Sequence, residues 1–253
     1  MSAMRVPAEE NSLEIAVPAF DEAARLERGF RLLRAWLDGN GFRGAKICIA
    51  ENGSRDATPR IADALAAEFP ETTRALHLPR ASLADALRAA WASSDAALLG
   101  YCDADMATAP EHVAEAVALL RERPSLRLVS GSRRLPASVV SGRAPGRRAL
   151  SRVYAFCVNL ALGTRFTDSA CGFKFLRRAW FEEIAGTLVA EDYALGAELA
   201  LLAERAGALA EIPVRWEERA GTHVRVLPTV FSSAASVLKI RRAHAKSPTP
   251  RAF

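Results

Sequence analysis

Short apolar runs alternate with longer segments whose apolar residues recur at helical spacing. In the first half of the chain this pattern predicts strands at 13–17, 46–50, 74–78, 96–101 and 126–130, separated by helices at 22–37, 56–69, 83–91 and 110–121. The repeated strand–helix order predicts an α/β fold with one doubly wound, mostly parallel sheet flanked by helices. Ligands of such sheets bind beyond the carboxyl ends of the strands.

The second half of the chain is less regular. The stretch 139–148 is rich in Gly, Pro and Arg and is predicted to be a mobile loop. Helices are predicted at 149–162, 193–205 and 230–242, with strands at 172–176 and, at the sheet edge, 210–214. We therefore expect one domain over residues 12–243, between a flexible N-terminus (1–11) and a flexible basic tail (244–253).

Polar residues follow three of the predicted strands, at 18–22, 51–56 and 103–105. Because the carboxyl ends of parallel strands meet at one edge of a sheet, these loops are expected to converge there. Ordinary turn and capping chemistry, such as Ser54 or Asp56 as an N-cap, explains any one loop alone. Three such loops at successive strand ends favour a binding site.

The third loop holds two carboxylates, Asp103 and Asp105, separated by one residue. Carboxylates so close repel each other unless a cation lies between them or one of them is protonated. Mg²⁺ or Mn²⁺, held by one or two carboxylates plus substrate phosphates, relieves that repulsion and neutralises charge on a diphosphate leaving group. The loop therefore predicts a metal and diphosphate site.

Basic residues are unevenly placed, although the net charge is only +5. Six arginines fall within 133–152, and lysines and arginines also fill the C-terminal segment 239–251. Such patches suit phosphates, anionic lipid or nucleic acid, or are simply solvated. Nucleic acid is disfavoured because interleaved aromatic residues are lacking. The helix at 230–242 either lies on anionic lipid or packs on the core.

Composition indicates a globular protein, with half of the residues hydrophobic and a quarter charged. No apolar run approaches the ~18–20 residues that span a bilayer, and residues 1–11 lack the apolar stretch of a signal peptide. The four cysteines, at 48, 102, 157 and 171, show no CxxC spacing. We expect a reduced, cytoplasmic protein whose membrane contact, where it has any, is peripheral.

Seven motifs together resemble glycosyltransferase family 2, which has the GT-A fold, and especially its dolichyl- or polyprenyl-phosphate mannosyl- and glucosyltransferase branch. V-P-A-F-D-E (17–22) resembles V-P-x-Y-N-E, E-N-G-S-R-D-A-T (51–58) resembles D-D-G-S-x-D-x-T, and D-A-D (103–105) is similar to D-x-D. The remaining matches are G-S-R (131–133), D-S-A-C-G-F-K (168–174), E-L (198–199) and E-I-P-V-R-W (211–216). Their order and spacing are specific, over roughly residues 13–242.

The resemblance implies an inverting transfer of a hexose from a UDP- or GDP-sugar to a polyprenyl phosphate at the membrane surface. A soluble small-molecule acceptor is the alternative. Asp105 would be the principal metal ligand, with Asp103 near the metal or the ribose. The other donor-binding positions would be Pro18, Phe20, Glu22, Glu51, Asn52, Asp85 and Ala104. Arg133, Arg148 and Ser151 would meet phosphate oxygens of donor or acceptor, which suits arginine–phosphate pairing.

Glu191-Asp192 resembles the family's E-D-x-x-L motif, whose Asp is commonly the base that deprotonates a hydroxyl acceptor. A phosphate acceptor is already ionised near neutrality, so Asp192 is more important for an alcohol. The alternative role of Asp192 is an N-cap of the following helix.

Several positions depart from the family pattern. Glu51-Asn52 stands in place of two aspartates, which leaves the choice of base open. The segment 80–86, with Asp85 near its end, replaces G-K-G-x-A. His223 replaces a phosphate-directed lysine and is only partly charged at neutral pH. These changes weaken the lipid-phosphate assignment more than the glycosyltransferase assignment.

Two other classes of function are alternatives on this kind of sheet. A nucleotidyltransferase normally has a glycine-rich phosphate loop after its first strand, and residues 17–25 contain no glycine. A non-catalytic nucleotide-sugar-binding protein of this fold stays an alternative.

Overall fold

The computed structural model describes residues 12–142, 144–191, 193–218 and 226–245. Within these ranges the side chains of residues 145, 147, 148 and 226–234 lie outside the description. Two sequence-predicted site residues, Asp192 and His223, fall outside the described residues. The predicted flexible N-terminus (1–11) and most of the predicted tail (246–253) do so as well.

A seven-stranded sheet is the centre of the molecule. The described residues form nine strands, of which β6 and β9 lie outside this sheet. The strands are β1 Leu13–Ala19, β2 Lys46–Asn52, β3 Thr73–Leu78, β4 Leu98–Cys102, β5 Leu128–Ser132, β6 Val139–Ser141, β7 Phe173–Arg177, β8 Leu209–Pro213 and β9 Arg215–Glu217. The helices are α1 Leu26–Gly39, α2 Thr58–Glu68, α3 Leu83–Ala92, α4 His112–Glu122, α5 Pro145–Leu162, α6 Arg178–Ile184, α7 Leu195–Arg205 and α8 Val226–Ala243, with a 3₁₀ turn at Ala185–Thr187.

The strand order in the large sheet is β3-β2-β1-β4-β7-β5-β8. All neighbours are parallel except β7, which runs antiparallel between β4 and β5. The predicted mostly parallel sheet and the predicted edge strand, β8, are confirmed. Because β1, β2 and β4 are parallel neighbours, the three polar loops that follow them leave the sheet at the same edge.

Helices cover both faces of the sheet. On one face, α1 buries its apolar stripe, which consists of Leu26, Phe30, Leu33 and Leu37, together with parts of α2 and α4. The other face packs against α3, α5, α6, α7 and the end of α8. Covered on both faces, β1 is a nearly continuous apolar run. None of the helices in the described ranges is long and apolar enough to cross a membrane.

The prediction of a loop over 139–148 was wrong at both of its ends. Strand β6 pairs in parallel with β9 in a second, two-stranded sheet, with Val140 opposite Trp216. Helix α5 begins at Pro145, because proline at the first helical position has φ suited to a helix and needs no amide partner. A strand of three residues whose partner lies far along the chain leaves no periodic signal in the sequence.

Candidate active site

The loops after β1 and β2 interlock through side-chain to backbone hydrogen bonds. Three amides of the first loop donate to the second: Asp21 to Ser54 Oγ (3.0 Å), Glu22 to Thr58 Oγ1 (2.8 Å) and Ala23 to Asp56 Oδ2 (3.0 Å). In return, Asp21 Oδ1 accepts from the Arg55 amide at 2.8 Å. Burial raises the pKa of Asp56, but the hydrogen bonds from Thr58 and Ala23 outweigh burial, so the pKa is lowered. The predicted convergence is thus confirmed for the first two of the three loops.

The Asp103–Asp105 loop is held in one conformation. Asp103 donates its amide to the Gly172 carbonyl at 3.1 Å, and its Oδ1 accepts from the Tyr101 hydroxyl at 2.7 Å. Asp105 Oδ1 accepts from the Ala107 amide at 3.0 Å. Met106 is buried with a φ of 47°, a left-handed conformation that L side chains rarely adopt. Such strain, about 1–3 kcal/mol, persists only where its surroundings fix the backbone.

Two glycines let neighbouring elements approach this loop. A Cβ on Gly29 of α1 would lie 2.0 Å from the Ala104 carbonyl oxygen, a backbone atom. A Cβ on Gly172 would lie 1.9 Å from Asp103 Oδ2, a side-chain atom. Sequence reasoning did not single out Gly29, because nothing in its helical context reveals a contact with a loop 75 residues away. Gly172 was visible only as part of the C-G-F-K motif.

Arg25 is a site residue that the sequence interpretation missed. Its guanidinium makes two hydrogen bonds to the Glu22 carboxylate, at 2.7 and 2.6 Å, and its Nη1 lies 3.7 Å from Asp105 Oδ2. That Nη1 is buried and has no hydrogen-bond partner among the described residues. The spacing of three residues from Glu22 places both side chains on one turn and was the available signal.

The carboxylates of this cluster repel one another. Burial raises the pKa of Glu22, and the charges of Asp105 and Asp103 add to that effect, while Arg25 opposes it. Burial, followed by the charge of Asp105, raises the pKa of Asp103. Arg25 is the only cation paired with any of these three carboxylates among the described residues, and the more distant charges of Arg133 and Lys174 offset the repulsion at Asp103 only in part.

A divalent cation fits this donor set. Carboxylate oxygens are the ligands that Mg²⁺ and Mn²⁺ prefer, and a cation would supply the missing positive charge. Among the described residues, however, no group of three or more His, Cys, Asp and Glu is arranged to hold a metal. The protein would therefore supply one or two carboxylates, from Asp103 and Asp105, and a ligand's phosphates and water the rest.

The end of β2 carries a buried amide without a partner. Asn52 is 5% exposed, and its Oδ1 makes no hydrogen bond within the described part of the chain. The Glu51 carboxylate beside it accepts from the Ser54 amide and lies 3.1 Å from His77 Nδ1. Hydrogen bonding to Asp63, and also to Glu51, raises the pKa of His77. An orphaned buried acceptor costs about 1–3 kcal/mol, so Asn52 is poised to receive a ligand's N–H.

The other predicted donor-binding residues lie on the same edge of the sheet. Phe20 is 40% exposed after β1, Pro18 is half-buried, and Ala104 is buried against Gly29. Asp85 is exposed in the first turn of α3. It pairs with Arg88 at 3.7 Å, and no described bond joins it to the β2 loop.

Arg133 and Ser151, predicted to meet phosphate, already have protein partners. The Arg133 guanidinium binds both Asp168 oxygens, at 2.7 and 2.9 Å, and lies 5.5 Å from the centre of the Trp216 ring. Arg134 donates to the carbonyl and hydroxyl of Ser151. A phosphate role for Arg133 and Ser151 stays a prediction. Arg148 lies in the first turns of α5, and its side chain is not described.

Lys174 is a fully buried cation behind the Asp103 loop. Its Nζ donates to the Cys171 carbonyl at 2.6 Å, and burial lowers its pKa. Its charge, with that of Arg133, works against the rise in the pKa of Asp103. The D-S-A-C-G-F-K motif thus supplies Asp168, Gly172 and Lys174 to one wall of the site.

Glu198, from the E-L motif, holds the loop that leads to Asp192. Its buried carboxylate accepts from the amides of Val189 and Ala190, at 2.8 to 3.1 Å, and lies 2.8 Å from His244 Nε2. The Ser82 hydroxyl donates to the Glu191 carbonyl at 2.9 Å. The chain immediately before the predicted base is therefore fixed by α7, by the end of α8 and by the start of α3.

Gly172→Ala and Gly29→Ala are expected to have different effects. The new methyl at 172 would lie 1.9–2.1 Å from three atoms of the Asp103 side chain, which must leave its bond with Tyr101, so we expect Mn²⁺-dependent nucleotide binding to fall by about tenfold or more. The methyl at 29 meets backbone, so we expect a loss of about 1–3 kcal/mol in the free energy of unfolding. Gly186→Ala, with open space around it, is the control. Equal nucleotide affinity in Gly172→Ala and the control would contradict the contact.

Comparisons with known proteins agree with this geometry. The chain is 31% identical over 232 residues to the glycosyltransferase AglD of Haloferax volcanii, covering 90% of this chain but only 36% of that protein. The fold resembles mannosyl-3-phosphoglycerate synthase from Rubrobacter xylanophilus (TM-score 0.70, 16% identity, 98% and 82% of the two chains). It also resembles glucosyl-3-phosphoglycerate synthase from Mycobacterium tuberculosis, solved with Mn²⁺, UDP-glucose and glycerol 3-phosphate (TM-score 0.64, 18%, 91% and 80%).

The sequence profile of Glycosyl transferase family 2 matches residues 14–185, which contain all three strand-end loops and the Asp168–Lys174 motif. The resemblance inferred from the motifs is confirmed, and so is the GT-A-like sheet. The chain belongs to glycosyl transferase family 2.

Proposed function

We propose that this protein transfers a hexose, with inversion, from a UDP- or GDP-sugar to a polyprenyl phosphate, in the presence of Mg²⁺ or Mn²⁺. The observation that carries the proposal is the convergence of the loops after β1, β2 and β4 around Asp103 and Asp105, within the family domain. The chain spans about a third of the length of its curated relative. The proposed activity and substrates are therefore argued from the residues of this chain and not taken from that relative.

Donor binding follows from the residues at the strand ends. Asp103 and Asp105 would hold the cation, which supplies charge neutralisation at the diphosphate leaving group. Arg25 would donate from Nη1, which makes no hydrogen bond within the described residues, to a diphosphate oxygen. Asn52 would accept an N–H of the base, with Glu51 held beside it by His77. The mycobacterial fold neighbour, solved with Mn²⁺ and UDP-glucose, supports this kind of donor.

The acceptor is proposed to carry a phosphate. A phosphate is ionised near neutrality, so it can attack the anomeric carbon without a strong base. Arg133, Arg148 and His223, with Ser151, are the candidates to hold it, and Arg134 binds Ser151. A soluble phosphorylated acceptor is the second candidate, because the mycobacterial neighbour was solved with glycerol 3-phosphate. Asp192 would be the base where the acceptor oxygen belongs to a hydroxyl group.

A thermal-shift screen of UDP, GDP and dTDP, each with and without Mn²⁺, tests the donor half. A nucleotide at about a hundredfold its Kd stabilises the folded state by about 2.7 kcal/mol. In a domain of this size that raises Tm by roughly 5–10 °C. We expect one nucleotide to give this shift and to need Mn²⁺ for most of it. A Tm that none of the three raises would contradict the donor assignment.

Turnover with labelled donor tests the acceptor half. Polyprenyl phosphate in detergent, glycerol 3-phosphate and no acceptor are compared at equal donor concentration. Product from the lipid acceptor alone supports the leading proposal, and product from glycerol 3-phosphate alone supports the soluble alternative. A nucleotide shift without transfer or hydrolysis in any arm would instead indicate a binding protein.

A further inference from the structure

Helix α5 is apolar on two opposite faces. Its inner face buries Ala155, Val158 and Leu162 against the core. Its outer face exposes four large apolar side chains: Leu150 (36%), Val153 (57%), Phe156 (67%) and Leu160 (73%). Spacings of three, three and four residues place these four on one stripe, which we call the outer face of α5. The outer face of a surface helix is normally polar, so a second apolar stripe on that side is unusual.

The outer face is unusual for this molecule. Four of the nine exposed large apolar side chains in the described part of the chain lie on it. The polar residues of α5 do not shield it, because Ser151 bonds to Arg134 and Asn159 donates to the Phe166 carbonyl. Single exposed apolar residues, such as Leu32 on α1, are ordinary, whereas a contiguous stripe marks an interaction surface.

The charge around this helix indicates what covers it. Residues 133–167 contain seven arginines and neither Asp nor Glu. Arg133 and Arg134 are engaged inside the protein, but Arg152 and Arg165 are exposed, beside the stripe and just after the helix. Positive charge beside an apolar stripe is the combination that binds anionic lipid surfaces. A second copy of the chain would bring two positive segments together, which is unfavourable.

We propose that the outer face of α5 binds the surface of an anionic bilayer, with Val153, Phe156 and Leu160 entering the boundary between headgroups and acyl chains. Arg152 lies level with the lipid phosphates. The N-terminal turns of α5 contain Ser151 and contact Arg134, so the contact brings this candidate phosphate-binding pair to the membrane. That the contact serves to bring this pair to its acceptor rests on the lipid acceptor proposed above. The membrane contact itself is argued only from the residues of α5 and the charge beside it.

Co-sedimentation with vesicles tests the contact. Equal parts of phosphatidylglycerol and phosphatidylcholine are compared with phosphatidylcholine alone. We expect the full chain to sediment with the mixed vesicles, more weakly with phosphatidylcholine, and less as salt is raised. Phe156→Ser/Leu160→Ser should lower the partition coefficient by more than about tenfold, since two large apolar contacts are lost. Leu32→Ser, at a 42% exposed leucine on α1, should leave it unchanged.

Three results would overturn the proposal. The first is no sedimentation of the wild-type chain with mixed vesicles. The second is sedimentation that Phe156→Ser/Leu160→Ser leaves intact. The third is a concentration-dependent dimer that this double variant abolishes, which would assign the face to a second copy. The nucleotide-induced rise in Tm should be the same in wild type and double variant, which shows that the variant folds. Failure of the donor proposal would abolish that shift and leave vesicle binding unchanged.

Discussion

Asp105→Ala is expected to lower sugar transfer by about 10²–10³-fold, the loss typical when a group that stabilises developing charge is removed. Asp105 is one of only two carboxylates that the Asp103–Asp105 loop offers to a cation. Its loss also leaves Arg25 without the carboxylate that lies 3.7 Å from its Nη1. The Mn²⁺-dependent part of the nucleotide-induced rise in Tm should disappear with turnover. Initial rates and thermal shifts, each with Mn²⁺ and with a chelator, measure the two effects.

Asp95→Ala is the matched control for this variant. Asp95 is exposed and precedes β4 at the amino end of the strand, whereas Asp105 follows the carboxyl end of the same strand. The Asp95→Ala variant should therefore bind nucleotide and turn over donor like the wild type. Asp105→Asn keeps the shape but not the charge, and should resemble Asp105→Ala. Unchanged turnover and donor binding in Asp105→Ala would show that the metal assignment is wrong.

Asp168→Ala is expected to lower the free energy of unfolding by about 3–5 kcal/mol, because it leaves the largely buried Arg133 guanidinium without its counter-ion. Asp168 is 1% exposed and accepts from the Arg133 side chain and amide. The neighbouring cation, Lys174, is also buried, so removing the carboxylate sets two positive charges against each other. Urea unfolding of both proteins measures the difference.

A surface ion pair supplies the control. Arg127 lies 3.3 Å from Glu183, with both side chains exposed, and Glu183→Ala should cost less than about 1 kcal/mol. The loss in the free energy of unfolding caused by Asp168→Ala should become smaller in acid. Burial raises the pKa of Asp168, but the Arg133 charge and hydrogen bonds outweigh burial and hold that pKa well below its usual range. Its contribution is therefore full above the unfolded value of about 4 and is lost as pH falls toward the folded value. A loss as small as that of Glu183→Ala would contradict the buried pair.

The elements whose signal lies within one segment could be predicted from the sequence. Helix α1 was predicted from the helical spacing of Leu26, Phe30, Leu33 and Leu37. Strand β1 was predicted from its nearly continuous apolar run. The segment 139–148 could not be predicted, because β6 exists only by pairing with β9, about 75 residues later. Helix α6 was missed because it has seven residues, too few for a periodic pattern.

In the candidate site, too, some features could be predicted from the sequence and others could not. Its polar loops were predictable because each follows an apolar strand, and the pair Asp103 and Asp105 indicated a cation by charge repulsion alone. The partners of these loops were not. Arg25 was visible as a basic residue near Glu22, but its approach to Asp105 depends on how α1 meets β4. The family resemblance implied that Arg133 meets phosphate, which stays a prediction, and only the fold shows that Asp168 pairs with its guanidinium.

The sequence by itself determined the family, the parallel sheet and the edge at which the site lies, because these follow from local periodicity and from motifs in order. Only the tertiary structure decided which charges are paired, which glycines admit the Asp103–Asp105 loop, and that Val153, Phe156 and Leu160 of α5 are exposed. The reason is physical: a side chain's hydrogen bonds, pKa and exposure are set by atoms distant in sequence, and their positions exist only once the chain has folded.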